Sequence, residues 1–367
     1  MHPGLSVDFA RAPFLVIWET TQACDLSCTH CRASAQPLRH PDELTTAEGE
    51  ALLADVAAMG TPVFILSGGD PVKRPDLLSL IRHGKGLGLR MGTIPAATTK
   101  LSEELVRELK GTGLDQMALS LDFPRADLHD AFRGVPGAFD RTMAAVEWAH
   151  RHGLPLQINT TLCGRSAPYF AEMAELVEHL GIVFWEVFFL VPMGRGETLG
   201  GLTAEQCEEL FGIIHAVQKR ASFVVKVTEA PHYRRYVAQH EAAVGEHHRA
   251  GATLPSLLQR SEGPGHTVGL ATRGVNAGNG FAFVAHNGEV FPSGFLPIRA
   301  GSVREQPLST IYRDSPLFRE LRDPELLLGR CGRCEFRGIC GGSRSRAFAL
   351  TGNHLASDPW CAYQPAL

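Results

Sequence analysis

The chain has 367 residues, a formal net charge of −4, 44% hydrophobic residues and 20% charged residues. That is ordinary globular usage, which sets aside a disordered or fibrous protein, and the length allows two to three domains at about 150 residues each. It offers no basic field for nucleic acid or a membrane surface, and its longest apolar run, 181–192, is broken by Glu186 and too short for a bilayer. The first residues, MHPGLSVDFARAP, lack the charged start and apolar core of a signal peptide, so a cytoplasmic protein without nucleic-acid or membrane partners is expected.

In chain order, Phe14 to Glu19 (FLVIWE) reads as a buried strand. Thr45 opens a helix to Met59, with Glu48 placed for a capping box. Pro62 to Ser67 is a strand that stops at Gly68-Gly69, and Pro75 to His83 is helical. Leu89 to Ile94 is a weaker strand, followed by a helix with Ser102 as N-cap. Gln116 to Asp122 is a strand, Phe139 to His152 a helix stopped by Gly153, and Leu154 to Leu162 a strand. Ala167 to Leu180 is helical, Ile182 to Val191 a long strand, and Thr203 caps a helix to Arg220.

Strand and helix thus alternate about six times, which implies parallel strands joined by crossover helices. An α/β fold with a partial (β/α)6 TIM-like barrel is expected, with its site at the C-terminal strand ends. The alternative, an open doubly wound sheet, lacks here the glycine-rich dinucleotide turn after the first strand. Beyond Glu229 the pattern changes. PHYRRYVAQHEAAV has helical spacing, and Gly245 to Gly265 reads as a loop or mobile insertion. Phe281 to Gly294 is a β-hairpin turning at His286-Asn287-Gly288, and Leu308 to Leu328 is mostly short helix. The division expected is a barrel over 1–228, a linker or insertion over 229–280 and a smaller α+β domain over 281–367.

Nine cysteines carry the chemical signal, and in a reducing compartment clustered cysteines point to metal or catalysis. Cys24, Cys28 and Cys31 stand as C-x3-C-x2-C after the first strand. Soft thiolates at this spacing suit iron–sulfur or zinc, and three of them on a four-iron cluster would leave one iron open. A closed zinc site would want a fourth ligand, which His30, adjacent to Cys31, supplies awkwardly. Cys331, Cys334, Cys340 and Cys361 stand as C-x2-C-x5-C-x20-C, a spacing that admits a zinc tetrahedron or a second iron–sulfur centre. Cys163 and Cys207 are isolated and read as unligated thiols.

The first motif resembles that of the radical S-adenosylmethionine (radical SAM) enzymes. The resemblance implies that Cys24, Cys28 and Cys31 hold a [4Fe–4S] cluster whose fourth iron takes the amino and carboxylate groups of SAM. Reductive cleavage of SAM would then yield a 5′-deoxyadenosyl radical that abstracts a substrate hydrogen, with an external donor such as flavodoxin or ferredoxin supplying the electron. Gly68, Gly69 and Asp70 resemble the family's GGE segment, with Asp70 in place of Glu. Ser120 and Asp122 in S-L-D, Arg133 in HDAFRG and Asn159 resemble further SAM contacts, Arg133 as partner of the SAM carboxylate. A surface helix is the competing reading for Arg133, and a strand-end cap for Asn159. His30 sits where the family packs an aromatic ring near the adenine. Pro192 to Gly196 suits an anion or adenine contact or a plain loop.

CGRCEFRGICGG resembles the SPASM/Twitch extension of the family, which carries auxiliary clusters. Serines 293 and 343 stand where full SPASM domains have further cysteines, so one auxiliary [4Fe–4S] cluster on the four cysteines is expected, with ligation by Ser293 or Ser343 left open. The hairpin, APHYRRY and VPMGRG resemble the branch of heme d1 and alternative heme biosynthesis enzymes. That implies a tetrapyrrole whose side chain is modified, for instance by oxidative decarboxylation. Arg195, Arg344 and Arg346 are candidates to pair with propionates, each equally a structural ion-pair partner. A maturase of ribosomally made peptides is the alternative, weakened because only about 13 residues precede the first strand. A non-catalytic iron–sulfur scaffold or electron carrier is the third reading.

Overall fold

The computed structural model describes residues 7–243 and 274–366. The segment Gly245 to Gly265, expected as a loop or insertion, lies outside the described residues. One ten-stranded sheet runs through the molecule in the order β10-β9-β8-β1-β2-β3-β4-β5-β6-β7. Its parallel part begins with β1 (Leu15–Glu19), β2 (Val63–Ser67), β3 (Arg90–Thr93), β4 (Gln116–Ser120), β5 (Leu156–Leu162), β6 (Phe184–Phe189) and β7 (Val224–Thr228), and β8 (Phe281–Val284) adds to it beside β1. The crossover helices include α1 (Thr46–Ala58), α2 (Leu77–Gly86), α3 (Glu103–Gly111), α4 (Ala126–Arg133), α5 (Ala138–Arg151), α6 (Phe170–Glu178) and α7 (Ala204–Arg220).

The helix boundaries follow local chemistry. The Thr45–Glu48 capping box is formed, and Thr203 forms another with Gln206. Ser102 accepts the Leu105 N–H at the start of α3. Strand side chains alternate between two environments. In β5, Gln157, Asn159 and Thr161 line a central cavity, while Leu156, Ile158 and Leu162 join the core under the helices. The core holds fully buried Trp18 and Trp185 against Leu52, Leu53 and Val56 of α1 and Phe170 and Val177 of the α6 region. At roughly 1.5–3 kcal/mol per buried large side chain, this layer holds the helices against the sheet.

Three features depart from the sequence reading. β7 adds a seventh parallel strand to the six expected; its Lys226 and Thr228 face the cavity and interrupt the apolar signal. Helix α4 enters the sequence reading only through HDAFRG, and of the two readings of Arg133 the structure removes the surface one, because the side chain is buried. The C-terminal hairpin of β8 (Phe281–Val284) and β9 (Glu289–Phe291) does not stand apart, because β8 pairs in parallel with β1 and extends the barrel sheet. β10 (Gly301–Ser302) then pairs with β9. Helix α8 (His232–Ala243) follows β7, and short helices fill 308–326 as expected. No helix among the described residues is long and apolar enough to cross a membrane.

Candidate functional site

The loop after β1 is fastened from three sides. Gly69 and Asp70, after β2, donate their N–H groups to the carbonyls of Thr21 and Ala23 at 2.7 Å each. At the end of α4, the Phe132 carbonyl accepts from Thr29 N–H at 2.9 Å and the Arg133 carbonyl from Ser27 N–H at 3.2 Å. After β6, the Arg195 N–H donates to the Cys31 carbonyl at 3.1 Å. The first of these contacts needs glycine: a Cβ on Gly69 would lie 2.6 Å from the carbonyl oxygens of Gln22 and Ala23.

Cys24, Cys28 and Cys31 thereby reach one wall of a cavity of about 360 Å³ at the C-terminal strand ends. His30, Gly68, Gly69, Ser120, Arg133 and Asn159 line the same cavity. Asp70 and Asp122 stand behind the wall. Asp70 is fully buried and accepts from Val72 N–H, Ala96 N–H and the Thr98 hydroxyl at 3.2–3.3 Å; burial pushes its carboxyl up to about 6. Asp122 pairs with Arg133 and accepts the Thr161 N–H at 2.8 Å. Burial opposes its charge, but the Arg133 guanidinium holds its carboxyl below the usual range.

The thiols sit in a setting suited to metal binding. Burial pushes Cys24 up to about 12 and raises Cys28, which Arg133 opposes from 3.8 Å. Such thiols stay protonated until a metal displaces the proton, and a neighbouring cation favours an anionic metal–sulfur group. His30 stacks on Phe132 with ring centroids 4.4 Å apart and planes 9° from parallel. Burial lowers its pKa to about 3, so the ring is neutral.

Sequence reading missed a second polar set inside the barrel. Glu186 accepts from Gln157 at 2.9 Å and from the Thr228 hydroxyl at 2.6 Å, and pairs with Lys226 at 3.0 Å. Gln157 also donates to Asn159 at 2.6 Å. The available signal was Glu186 interrupting an apolar strand, with polar residues at alternate positions in β5. The apolar part of the lining includes Phe184, Phe188, Phe281 and Phe283.

The four C-terminal cysteines converge as well. Cys331, Cys334, Cys340 and Cys361 line a separate cavity of about 30 Å³. N–H groups point at their sulfurs: Gly342 at Cys340 (3.4 Å), and Asp358 and Arg344 at Cys331 (3.5 and 3.7 Å). Burial pushes Cys340 up to about 12. Among the described residues no group of three or more His, Cys, Asp or Glu is arranged to hold a single metal ion. The thiols with their N–H donors fit a larger metal–sulfur group. Ser293 and Ser343 are elsewhere: both donate to Glu229 on the wall of the large cavity, as does Ser345. Glu229 itself adopts φ 58°, the left-handed region. Arg346 is fully buried and forms a two-bond pair with Asp358 at 3.0 Å, so of its two sequence readings the structure bears out the ion-pair partner.

The model of the radical SAM superfamily matches residues 18–177, from β1 to α6. The chain is 40% identical over 365 residues to the AdoMet-dependent heme synthase of Oleidesulfovibrio alaskensis, covering 99% of this chain and 90% of the relative. It is 38% identical over 359 residues to the protein of that name from Methanosarcina barkeri, covering 98% and 99%. Streptococcus suis SuiB bound to S-adenosylmethionine shares the fold at TM-score 0.71 and 17% identity, over 96% of this chain and 78% of that one. With the cysteine loop, the parallel barrel sheet and full-length relatives in agreement, the chain belongs to the radical SAM superfamily and is an enzyme that cleaves S-adenosylmethionine.

Proposed function

We propose that this enzyme acts on a tetrapyrrole side chain, removing a hydrogen atom from a propionate so that its carboxyl group is lost by oxidative decarboxylation. The observation that carries this reading is the large cavity that, among the described residues, joins the three-cysteine loop to six phenylalanines and to basic side chains, a combination that suits a flat macrocycle with acidic edges. The full-length relatives named as heme synthases point to the same substrate class.

A [4Fe–4S] cluster on Cys24, Cys28 and Cys31 would supply, with SAM, the radical that takes the hydrogen. The chain's own residues bind and orient. Gly68 and Gly69 leave backbone open to the cavity, where the amino-acid end of SAM would sit. Arg133, shared between Asp122 and Cys28, balances charge at the loop. Asp70 and Asp122 act from behind the wall as braces. His30, neutral and stacked on Phe132, presents a flat edge for the adenine. Ser120 and Asn159, opposite each other in the β4–β5 register, offer polar contacts to SAM.

Loss of a hydrogen atom and carbon dioxide from a propionate leaves one electron. An auxiliary [4Fe–4S] cluster on Cys331, Cys334, Cys340 and Cys361 would supply a place for it. Ser293 and Ser343, engaged by Glu229, stay outside that ligand set. An external flavodoxin or ferredoxin would deliver the reducing electron.

The test is formation of 5′-deoxyadenosine by the reduced, anaerobic enzyme with SAM. Iron coproporphyrin, a propionate-bearing tetrapyrrole, should stimulate it and lose carboxyl groups, and Cys28→Ala should abolish it. Stimulation by short peptides and not by tetrapyrroles would replace this reading with peptide maturation.

A further inference from the structure

We propose that Arg195 is the carboxylate-binding residue of the large cavity, an inference that rests on the functional reading above. Six Lys and Arg side chains line the cavity among the described residues. Five are committed within the protein. Arg32 pairs with Glu19, Arg133 with Asp122, and Lys226 with Glu186. Arg234 donates to the Val275 carbonyl at 2.7 Å and to Asn276 at 3.1 Å, and Arg344 to the carbonyls of His354 and Ala356 at 2.8 Å. Arg195 differs. Its Nε and Nη2 are buried without a hydrogen-bond partner.

The backbone beneath it is fixed. The Arg195 N–H holds the Cys31 carbonyl, and Gly194, at φ 55°, packs so closely that a Cβ would lie 2.6 Å from the Arg32 carbonyl oxygen. The guanidinium is therefore anchored to the cysteine loop and keeps its planar fork unfilled. A guanidinium stays charged at any working pH, and a fork of parallel N–H groups matches a carboxylate in two bonds. Both molecules this cavity would receive carry one: SAM on its methionine end and the tetrapyrrole on its propionates.

The experiment measures equilibrium binding to the full-length, cluster-loaded enzyme without reductant, so that no turnover occurs. SAM is followed by dialysis and iron coproporphyrin by its Soret band. Arg195→Gln should weaken one ligand about tenfold, with the other unchanged and Arg195→Lys recovering part of the loss. The ligand that weakens identifies the carboxylate. Two ligand-side arms on the unmodified protein guard against misfolding: decarboxylated SAM and the methyl ester of coproporphyrin. The relevant one should bind about tenfold more weakly to the wild type and suffer no further loss in Arg195→Gln. Unchanged affinity for both ligands in the variant overturns the inference. A wild type that never binds the porphyrin, with SAM weakened by Arg195→Gln, overturns the tetrapyrrole reading and leaves the subsite standing.

A separate observation carries a second inference at the other cavity. We infer that His232 donates its ring N–H to the metal–sulfur group held by the four C-terminal cysteines, which rests on the auxiliary-cluster reading. His232 is fully buried, lines the four-cysteine cavity, and has no hydrogen-bond partner at Nδ1 or Nε2. The Asp358 carboxylate, 3.6 Å from Nδ1, is already filled: Oδ1 accepts from Arg346 and Trp360, Oδ2 from Ser343 and Arg346. A carboxylate has about four lone-pair sites, so none remains for the imidazole. A neutral imidazole still carries one N–H, and the acceptors lacking in the protein are the sulfurs of a bound group. His232 is thus a positioning residue whose N–H raises the reduction potential of that group.

The measurement uses full-length protein with Cys24, Cys28 and Cys31 all changed to Ala, so that only the C-terminal site holds iron. His232→Phe should move the midpoint potential to a more negative value at unchanged iron content, and His232→Asn should restore part of it. In protein retaining His232, pulsed EPR of the reduced cluster should show weak coupling to a histidine nitrogen. An unchanged potential in His232→Phe, or coupling of the size of a directly bound nitrogen, overturns the inference. Zinc in place of iron overturns it together with the auxiliary-cluster reading.

Discussion

Arg133 and Cys28 lie 105 positions apart in the chain, yet the Arg133 Nη1 stands 3.8 Å from the Cys28 Sγ. The same guanidinium pairs through Nη2 with Asp122, whose side chain is wholly buried. One cation thus joins the end of α4, the end of β4 and the cysteine loop. Arg133→Ala should destabilise the protein by about 3–5 kcal/mol, because Asp122 is left charged and unpaired in the interior. Adding Asp122→Asn should recover part of that loss, giving a non-additive cycle in urea unfolding.

Glu229 combines three serine donors with a left-handed backbone. Glu229→Ala removes the acceptor and keeps the strained backbone. Glu229→Gly removes the same acceptor but relieves the backbone, which costs about 1 kcal/mol or more for a residue with a Cβ. The glycine variant should therefore be the more stable of the two by about 1 kcal/mol, read as a difference in denaturant midpoints.

Gly69→Ala places a methyl group against backbone oxygens of the cysteine loop, where no flexible side chain can yield. The loop should shift and lose its metal while the C-terminal site keeps its own. Iron after anaerobic reconstitution should fall from about eight to about four per chain, with SAM affinity lost in parallel.

His129 accepts the Asp122 N–H at 3.3 Å, and burial, with Arg133 nearby, lowers its pKa from 6.5 to about 4. The unfolded chain takes up this proton below pH 6.5, whereas the folded protein resists until about pH 4. Its contribution to stability is complete above pH 6.5 and is lost as pH falls through that window, about 3 kcal/mol in all. His129→Gln keeps an acceptor and does not titrate, so its stability should fall less steeply than the wild type between pH 6.5 and pH 5 in parallel urea titrations.

The sequence showed what is local. C-x3-C-x2-C lies on one loop, Thr45 caps its own helix with Glu48, and the hairpin turns within three residues; each needs only neighbours to be read. What it hid depends on pairing across distance. β7 escaped because Lys226 and Thr228, which meet Glu186 inside the barrel, erase its apolar signature. Arg133 read as well as a surface residue, since its partners Asp122 and Cys28 belong to other elements. Ser293 and Ser343 suggested substituted ligands, and only the fold brings both to Glu229. His232 lies in APHYRRY, but nothing in that segment singled it out; its meaning comes from the filled Asp358 beside it.

The central claim is removal of hydrogen from a propionate by a radical generated at the Cys24–Cys28–Cys31 loop. Its most direct test supplies the reduced enzyme with iron coproporphyrin carrying deuterium on the propionate side chains and follows the 5′-deoxyadenosine by mass spectrometry. The account predicts deuterium in that product together with carbon dioxide loss from the tetrapyrrole. Unlabelled 5′-deoxyadenosine, formed at the same rate with or without the tetrapyrrole, would contradict it.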